Sequence, residues 1–366
     1  MKILAIFLAF LVIALPKRIG YPTQISTPKQ LYACYKSNED NINRYLSHEI
    51  YLKCELVSMR FTNCTLVDSK FDQTVVSSTS FQGSDMTGSS FTDTSFENCN
   101  FENTILNDIK GFFNNFNNVN FQQASLINMQ NTKSDFSNVN FQDSDLSESS
   151  IIESNLQQNS FSMVNLFGVY FRGSNLSQVT FSSTNLQNTN FDNAILSYVT
   201  FIEAYISGSQ FYNTEMKFPY FTDSKLQDSQ FINSNFYLAL FYQSILSNVK
   251  FQDTNLQDAQ FENCVFINLN INTSNLSRAK FSNADLQGAS LQNSIFDEAT
   301  LIGSNFEGAD LSGSKFTNAN LQGANFQNAN LDNAIFNGAN LDGAVFTGAF
   351  TDTADFEGAN FGNAIF

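Results

Sequence analysis

The chain has 366 residues with 40 phenylalanines and no tryptophan, and only 14% of its residues are charged. Its formal net charge of −16 argues against ordinary nucleic-acid binding, which uses a basic footprint, and leaves open an acidic surface that engages basic partners. The length would suit two or three ordinary domains. A five-residue repeat fills most of the chain, however, and a single repeat domain can have this length.

The amino terminus has the composition of a secretory signal peptide. Lys2 precedes the apolar run Ile3–Leu15, which is too short to span a bilayer comfortably, and Pro16 ends the run. We assign residues 1–15 to a signal peptide that is cleaved near Ala14; the alternative is a short uncleaved anchor. The assignment predicts a protein that is secreted or held in the endomembrane lumen, with no membrane contact after cleavage.

Residues 16–50 lack the repeat and are predicted to form an N-terminal cap segment. Thr27 followed by Pro28 is typical of a helix start, so we expect a short helix to about Tyr35 and a second helical stretch around Asp40–Glu49. Repeat domains expose an unfinished hydrophobic end unless a segment covers it. The cap is therefore expected to cover the first coil.

A period of five residues runs through residues 51–366. It is clearest in Ala319–Phe346, where a small residue and a polar residue precede each leucine or phenylalanine and two mostly polar residues follow it. Five is neither the period of a strand nor that of a helix. Four residues at the central position are exceptions to this pattern, and the repeats on either side of each stay in frame: Val76, Gly111, Asn131 and Thr351.

This pattern resembles the A(D/N)Lxx motif of the pentapeptide-repeat family. The match is strict after about Phe281 and looser before it, where Ser, Thr, Val or Cys replaces Ala. The resemblance implies an all-β fold, a right-handed quadrilateral parallel β-helix (a solenoid), here with a short helical N-terminal cap. Four pentapeptides would form each coil, with the central residue and the small residue two positions earlier pointing inward.

A coil of twenty residues would stack outward positions that are twenty apart. Three pairs of opposite charge lie in this register: Lys133 with Glu153, Arg172 with Asp192, and Asp258 with Arg278. Two pairs of like charge also lie in it: Glu203 with Asp223, and Asp332 with Asp352. Exposed ion pairs contribute only about 0–1 kcal/mol each, so these pairs support the register without deciding it.

No group of residues predicts catalysis, a cofactor site or a metal site. The single histidine, His48, lies in the predicted cap, and no base is spaced to activate any of the serines. The carboxylates are scattered, whereas Ca²⁺ needs six to eight converging oxygens. We therefore expect a protein that is not an enzyme and that uses no cofactor.

Four of the five cysteines, Cys54, Cys64, Cys99 and Cys264, occupy the small inward position of the repeat. This position favours a structural role for them as small buried residues. Cys34 lies in the predicted cap and is the candidate disulfide partner of Cys54, which a secretory compartment would allow.

Four N-glycosylation sequons lie at outward positions, at Asn63, Asn175, Asn272 and Asn275. In a secreted protein they are candidate glycosylation sites. A repeat that is rich in Asn and Ser also produces sequons by chance, so we expect at most one or two of them to be used.

The clearest candidate for a binding site is a group of apolar residues at outward positions. Tyr198, Phe218 and Leu238 are twenty residues apart and are predicted to form one column. The adjoining side is predicted to carry Ile202, Tyr220, Leu240 and Tyr242. Contiguous exposed apolar residues often mark a protein-binding surface. The alternative is a local distortion at Pro219 that turns some of these side chains inward.

Three functions remain open from the sequence. The first is a protein-binding scaffold in the secretory pathway or outside the cell, with an unidentified protein partner and no nucleic acid. The second, implied by the resemblance, is an acidic DNA mimic that binds a type II topoisomerase. The third is a passive structural rod of a cell surface. The sequence stops on Phe366 without a polar cap, so we expect one of two things: a homodimer through the C-terminal coil, which the resemblance implies for some family members, or a sequence that is a fragment.

Overall fold

A computed structural model describes residues 30–366; the predicted signal peptide and the predicted helix start at Thr27 lie outside the described residues. The described chain is a parallel β-solenoid with a coil of twenty residues. Thr200 pairs with Tyr220, and Tyr220 pairs with Leu240, and the other strands follow the same parallel register. The predicted twenty-residue register is therefore confirmed.

Five sheets of three-residue strands run along the solenoid within residues 30–366. The first sheet contains Gln30–Tyr32, Ile50–Leu52, Lys70–Asp72, Ser90–Thr92, Lys110–Phe112, Gln130–Thr132 and Ser150–Ile152. The second contains Tyr35–Ser37, Glu55–Val57, Val75–Ser77, Ser95–Glu97, Asn115–Asn117 and Asp135–Ser137, and a two-stranded sheet contains Asp40–Ile42 and Arg60–Thr62. The fourth contains Ser160–Ser162, Thr180–Ser182, Thr200–Ile202, Tyr220–Thr222, Leu240–Tyr242 and Gln260–Glu262. The fifth contains Gln210–Tyr212, Gln230–Ile232, Lys250–Gln252 and Asn270–Asn272.

The remaining sides of the coils are tight turns joined by single bridges. Beyond Asn272 every pairing within the described chain is of this kind, as between Asn320 and Asn340. Nearly every turn places one residue in the left-handed region, with φ of 56° at Asn318 and 68° at Gly323. Asn, Asp and Gly fill most of these positions because they adopt left-handed conformations at low cost.

The interior is a continuous stack of large apolar side chains, with small residues between them. Phe221 and Phe241 lie one coil apart with ring centroids 4.6 Å apart and planes 3° from parallel, and both are fully buried. Small inward residues close the remaining space, and their hydroxyls bind the backbone: Ser174 Oγ donates to the carbonyl oxygen of Ile151 at 2.8 Å. The predicted inward positions are confirmed by this burial.

The predicted helical cap is wrong, because residues 30–366 contain no helix. Instead, Tyr35–Ser37 pairs with Glu55–Val57 in the first coils. Lys36 and Asn41 occupy central inward positions there, so the apolar signal of the repeat is lost although its frame continues. Pairing with the next coil gives hydrogen-bond partners to backbone N–H and C=O groups along this segment. These bonds outweigh the local preference of the sequence for a helix.

Two of the three predicted ion pairs form. Arg278 binds Asp258 through two hydrogen bonds of 2.8 Å each, and Lys133 Nζ lies 3.6 Å from a carboxylate oxygen of Glu153. Arg172 forms no ion pair with Asp192 in the described structure. None of the described segments is a helix with the length and apolar content needed to cross a bilayer.

Candidate functional site

Tyr198, Phe218 and Leu238 form a column of large apolar side chains at turn positions in consecutive coils, and we call them the corner column. Each is in the left-handed region, with φ of 60° at Tyr198, 56° at Phe218 and 57° at Leu238. A left-handed conformation is uncommon for bulky side chains, and a residue held in it costs about 1–3 kcal/mol. The chain therefore holds three large apolar residues where Asn, Asp or Gly would cost less.

The corner column is exposed to solvent. The ring centroids of Tyr198 and Phe218 are 4.8 Å apart with the planes 8° from parallel, and the Tyr198 side chain is 56% exposed. Phe218 and Leu238 are each 36% exposed. Tyr237 contacts Phe218 edge to face at 5.8 Å. The rings thus order one another but leave much of their area open to a partner.

The adjoining side carries the remaining predicted residues of the patch, all of them partly buried. Tyr220 and Leu240 pair directly in neighbouring strands. Ile202 and Tyr242 are two coils apart with Thr222 between them, so they share a column without direct contact in the strand register. Together, the corner column and this adjoining side (Ile202, Tyr220, Leu240 and Tyr242) form what we call the apolar surface.

Pro219 does not turn these side chains inward. It fills a small inward position, is buried, and its carbonyl oxygen accepts a hydrogen bond from the Leu240 nitrogen at 3.0 Å. Having no N–H, it cannot make the turn hydrogen bond that Val199 donates to the Leu196 carbonyl at 3.1 Å one coil earlier. Because the strand Tyr220–Thr222 continues in register, the distortion proposed as the alternative is confined to one missing turn bond.

Two large apolar residues besides the corner column occupy left-handed positions in the described chain: Phe113 and Met163. Each stands alone in its own column. The Phe113 ring is packed against Phe112 with centroids 4.0 Å apart, and Lys133 Nζ lies 5.9 Å from its centroid. Only the corner column repeats the substitution over consecutive coils.

Charged residues border the apolar surface. Lys217 is neutralised by Glu215, whose carboxylate oxygen lies 2.8 Å from its Nζ, and this hydrogen bond raises the pKa of the lysine. Glu203 and Asp223 stand at the turn that follows the strands of the adjoining side, at φ of 51° each. Lys225 Nζ lies 4.5 Å from the ring centroid of Tyr205.

Tyr237 and Tyr205 belong to this region and were missed in the sequence analysis. Both occupy outward positions, so the five-residue frame alone could have identified them. Two features of the sequence drew attention away from them. Tyr237 directly precedes Leu238 of the corner column, and Tyr205 is separated from Ile202 by the charged residue Glu203.

Cys34 and Cys54 form a disulfide with their Cα atoms 4.5 Å apart, across the same inward position of successive coils. Cys64 and Cys99 are free and buried, and Cys264 is free and partly buried. Burial raises the pKa of the Cys99 thiol to about 12 and that of Cys264 to about 11. These three thiols are consequently unsuited to nucleophilic chemistry.

The four sequons differ in how their amides are held. Asn63 is exposed at a left-handed turn position. The side-chain oxygens of Asn175 and Asn275 accept hydrogen bonds from the nitrogens of Ser177 and Ser277, at 3.1 and 3.0 Å. Asn272 Oδ1 accepts a hydrogen bond from the nitrogen of Gln292 at 2.8 Å. Asn63 is therefore the sequon that a glycosyltransferase would reach most easily.

His48 lies on the surface with Nδ1 3.7 Å from a carboxylate oxygen of Asp68. Within residues 30–366 no three His, Cys, Asp or Glu side chains are grouped as a metal site requires. A groove of about 400 Å³ beside Asn138 and Asn159 is lined by amides and hydroxyls together with Val119 and Val139. Asn159 Nδ2 donates to the Phe136 carbonyl at 2.8 Å, so this buried amide is already engaged.

Models of pentapeptide-repeat sequences match most of the chain. The family described as Pentapeptide repeats (8 copies) matches residues 69–108, 274–313 and 309–348. The family described as Pentapeptide repeat region matches residues 114–191, 184–261 and 219–291. No curated protein matches the chain.

Several solved structures are similar to the chain. QnrB1, a plasmid-mediated fluoroquinolone resistance protein, is 23% identical over 57% of this chain and 90% of its own, with a TM-score of 0.35. HetL, a pentapeptide repeat protein involved in heterocyst differentiation regulation from the cyanobacterium Nostoc sp. strain PCC 7120, is 22% identical over 84% of this chain and 87% of its own, with a TM-score of 0.17. Rfr23 from the cyanobacterium Cyanothece 51142 is 34% identical over 26% of this chain and 63% of its own, with a TM-score of 0.20.

Proposed function

Because the chain belongs to the pentapeptide-repeat family, we propose that it is a non-enzymatic scaffold that binds a protein partner through the apolar surface. The corner column carries this proposal. The fold does not need large apolar side chains at its turns, since most turns of the same chain use Asn, Asp or Gly. Strained residues that serve no purpose in folding are concentrated at functional sites.

The size and shape of the surface support a docking role. Its members lie on one corner and one side of the coil and span three consecutive coils, from the strand Thr200–Ile202 to the strand Leu240–Tyr242. Exposed aromatic rings beside half-buried apolar side chains supply the kind of contact that dominates protein interfaces. Other large apolar side chains are exposed elsewhere on the rod, among them Phe113, Tyr170 and Ile267, but the corner column is the group that repeats at one left-handed turn position over consecutive coils of the described chain.

We place the protein in the secretory pathway or outside the cell. The apolar run Ile3–Leu15 supports this location, and so does the Cys34–Cys54 disulfide, because disulfides persist in oxidising compartments. A fluorescent tag at the carboxyl terminus tests the location, and sequencing of the mature amino terminus tests cleavage near Ala14. A cytosolic or nuclear protein with an intact amino end would overturn it and favour the acidic DNA mimic.

The binding role is tested by replacing the exposed apolar side chains without disturbing the turn. We choose Phe218→Asn with Leu238→Asn, since Asn is well suited to a left-handed position. The control is Gln178→Gly with Glu298→Gly, which changes the same turn column on either side of the corner column; Gly also suits a left-handed position and, unlike Asn at residue 178, creates no glycosylation sequon.

Proteins that co-purify with the tagged full-length chain from its source are quantified for wild type and for both variants. We expect the Phe218→Asn, Leu238→Asn protein to lose its partner while the control retains it. Equal recovery of the partner by all three proteins would overturn the proposal. A wild-type chain that captures no protein would instead favour the passive structural rod.

A further inference from the structure

One side of the coil has apolar rings at one turn and carboxylates at the next. Tyr198 and Phe218 stand at the first turn, and the strands Thr200–Ile202 and Tyr220–Thr222 lead from them to the second. Glu203 and Asp223 follow these strands directly, one coil apart, and we call them the acidic corner. A ligand that lies across this side would contact rings and carboxylates together.

The acidic corner has no cation of its own. Within residues 30–366, no lysine or arginine nitrogen lies within ion-pair distance of Glu203 or Asp223. Neutral hydroxyls bind them instead: Ser183 donates to Glu203 at 3.1 Å, and Thr222 donates to Asp223 at 3.3 Å. Stacked like charges destabilise neighbouring strands, so the fold alone does not explain the pair.

The two lysines nearest in the chain are engaged elsewhere. Lys217 binds Glu215 at 2.8 Å. Lys225 follows Asp223 by two residues, yet its Nζ lies over the Tyr205 ring, 4.5 Å from the centroid. The carboxylates of the acidic corner are therefore left available to a charge that comes from outside.

We infer that the apolar surface and the acidic corner together bind an extended, arginine-bearing segment of the partner protein, an inference that rests on the proposed function. A guanidinium stacks on an aromatic face and pairs with carboxylates through a planar set of donors. The chain makes related contacts within itself: Arg278 binds Asp258 through two 2.8 Å hydrogen bonds, and the ammonium group of Lys225 lies over the Tyr205 ring. Apolar side chains of the segment would cover Phe218 and Leu240.

The charge of the chain disfavours other occupants of this side. A second copy would bring another net charge of −16 against the acidic corner. A nucleic acid would bring phosphates against the same carboxylates. A basic polypeptide removes the repulsion between Glu203 and Asp223 and gains the apolar contact.

The test measures binding of labelled decapeptides to the full chain by fluorescence anisotropy. The probe alternates arginine and leucine; one control peptide replaces each arginine by glutamate, and another replaces each leucine by serine. The main variant is Glu203→Gln with Asp223→Asn. Its matched control is Asp332→Asn with Asp352→Asn, which removes the same charge from another stacked pair of carboxylates.

We expect the arginine–leucine peptide to bind the wild-type chain and both control peptides to bind more weakly. The Glu203→Gln, Asp223→Asn variant should bind the probe about tenfold more weakly, which corresponds to two partly screened ion pairs. The Asp332→Asn, Asp352→Asn control should bind like wild type. Added salt should weaken the wild-type complex more than that of the main variant.

Three results would overturn the inference: no binding of the probe to wild type, equal binding by the main variant and wild type, or equal weakening by the control variant. The last would show that binding follows net charge alone. Failure here is distinguishable from failure of the proposed function, because the loss of the natural partner by the Phe218→Asn, Leu238→Asn protein is measured against wild type without any peptide.

Discussion

The carboxamide of Asn131 occupies the space that a side chain at Gly111 would need, one coil away. A Cβ atom on Gly111 would lie 2.8 Å from the side-chain carbon, nitrogen and oxygen of Asn131. These residues interrupt a core column that holds Phe91 before them and Ile151 after them. Asn131 Oδ1 accepts a hydrogen bond from the Ser134 hydroxyl, but Nδ2 is buried without a partner.

This pair predicts a non-additive response to core substitutions. Asn131→Leu removes an unpaired buried amide and should stabilise the protein by about 1–3 kcal/mol. Gly111→Leu alone should destabilise it, because the new side chain collides with Asn131. In the double variant the two leucines fill the column together, so the cost of Gly111→Leu should fall.

Denaturant unfolding of the four proteins in this cycle measures the coupling. A coupling energy of zero between the substitutions at Gly111 and Asn131 would show that the two positions do not share one space.

The Cys34–Cys54 disulfide is expected to secure the first coils. Replacing both cysteines by serine removes a closed loop of twenty residues, at a cost of about 3 kcal/mol. In a solenoid each coil contacts only its neighbours, so the loss should be local. Hydrogen exchange should show faster exchange in Tyr35–Ser37 and Glu55–Val57 and no change in Leu240–Tyr242. Unchanged exchange in the first coils would contradict this account.

The free thiols should be unreactive in the folded protein. Burial raises the pKa of Cys99 to about 12 and that of Cys264 to about 11, so at pH 8 both are almost fully protonated. Because the thiolate is the reactive form, alkylation should be at least about 100-fold slower than in the unfolded chain. Mass spectrometry after timed iodoacetamide treatment measures both rates. A native rate within tenfold of the unfolded rate at Cys99 would show that this thiol is accessible in the folded protein.

The corner column should be dispensable for stability. Leu238→Asn loses apolar contact but relieves a left-handed leucine, and these effects are of similar size, so the unfolding free energy should change by less than about 1 kcal/mol. Leu246 is an inward residue and is fully buried, so Leu246→Asn places an amide in the core. This variant should lower the unfolding free energy by more than about 3 kcal/mol. Equal loss at both positions, measured by denaturant unfolding, would mean that Leu238 serves the core.

The five-residue frame predicted the inward positions because burial follows the central and the small position of the repeat from Tyr51 to Phe346, with Gly111 and Cys264 as exceptions. The frame failed where the central position carries a polar residue. Lys36 and Asn41 occupy that position in the first coils, so these coils were not recognised as repeats and a helix was predicted in their place. Turn preferences of short segments cannot reveal pairing with residues twenty positions later.

The column of Tyr198, Phe218 and Leu238 was predicted from spacing, but its left-handed conformation was not. The repeat indicates whether a side chain points in or out, whereas φ depends on the turn that each side of the coil adopts. Register likewise does not ensure contact: Arg172 and Asp192 are in register but form no ion pair, since exposed pairs gain little energy.

Site-specific photo-crosslinking tests the central claim most directly. A photoreactive phenylalanine analogue is placed at residue 218 and, as controls, at residues 178 and 298 of the same turn column. The account predicts that the chain with the analogue at residue 218 crosslinks a partner protein in its source compartment and that the two control chains do not. Equal crosslinking at the three positions, or crosslinking only at 178 or 298, would contradict the assignment of the binding surface to Tyr198, Phe218 and Leu238.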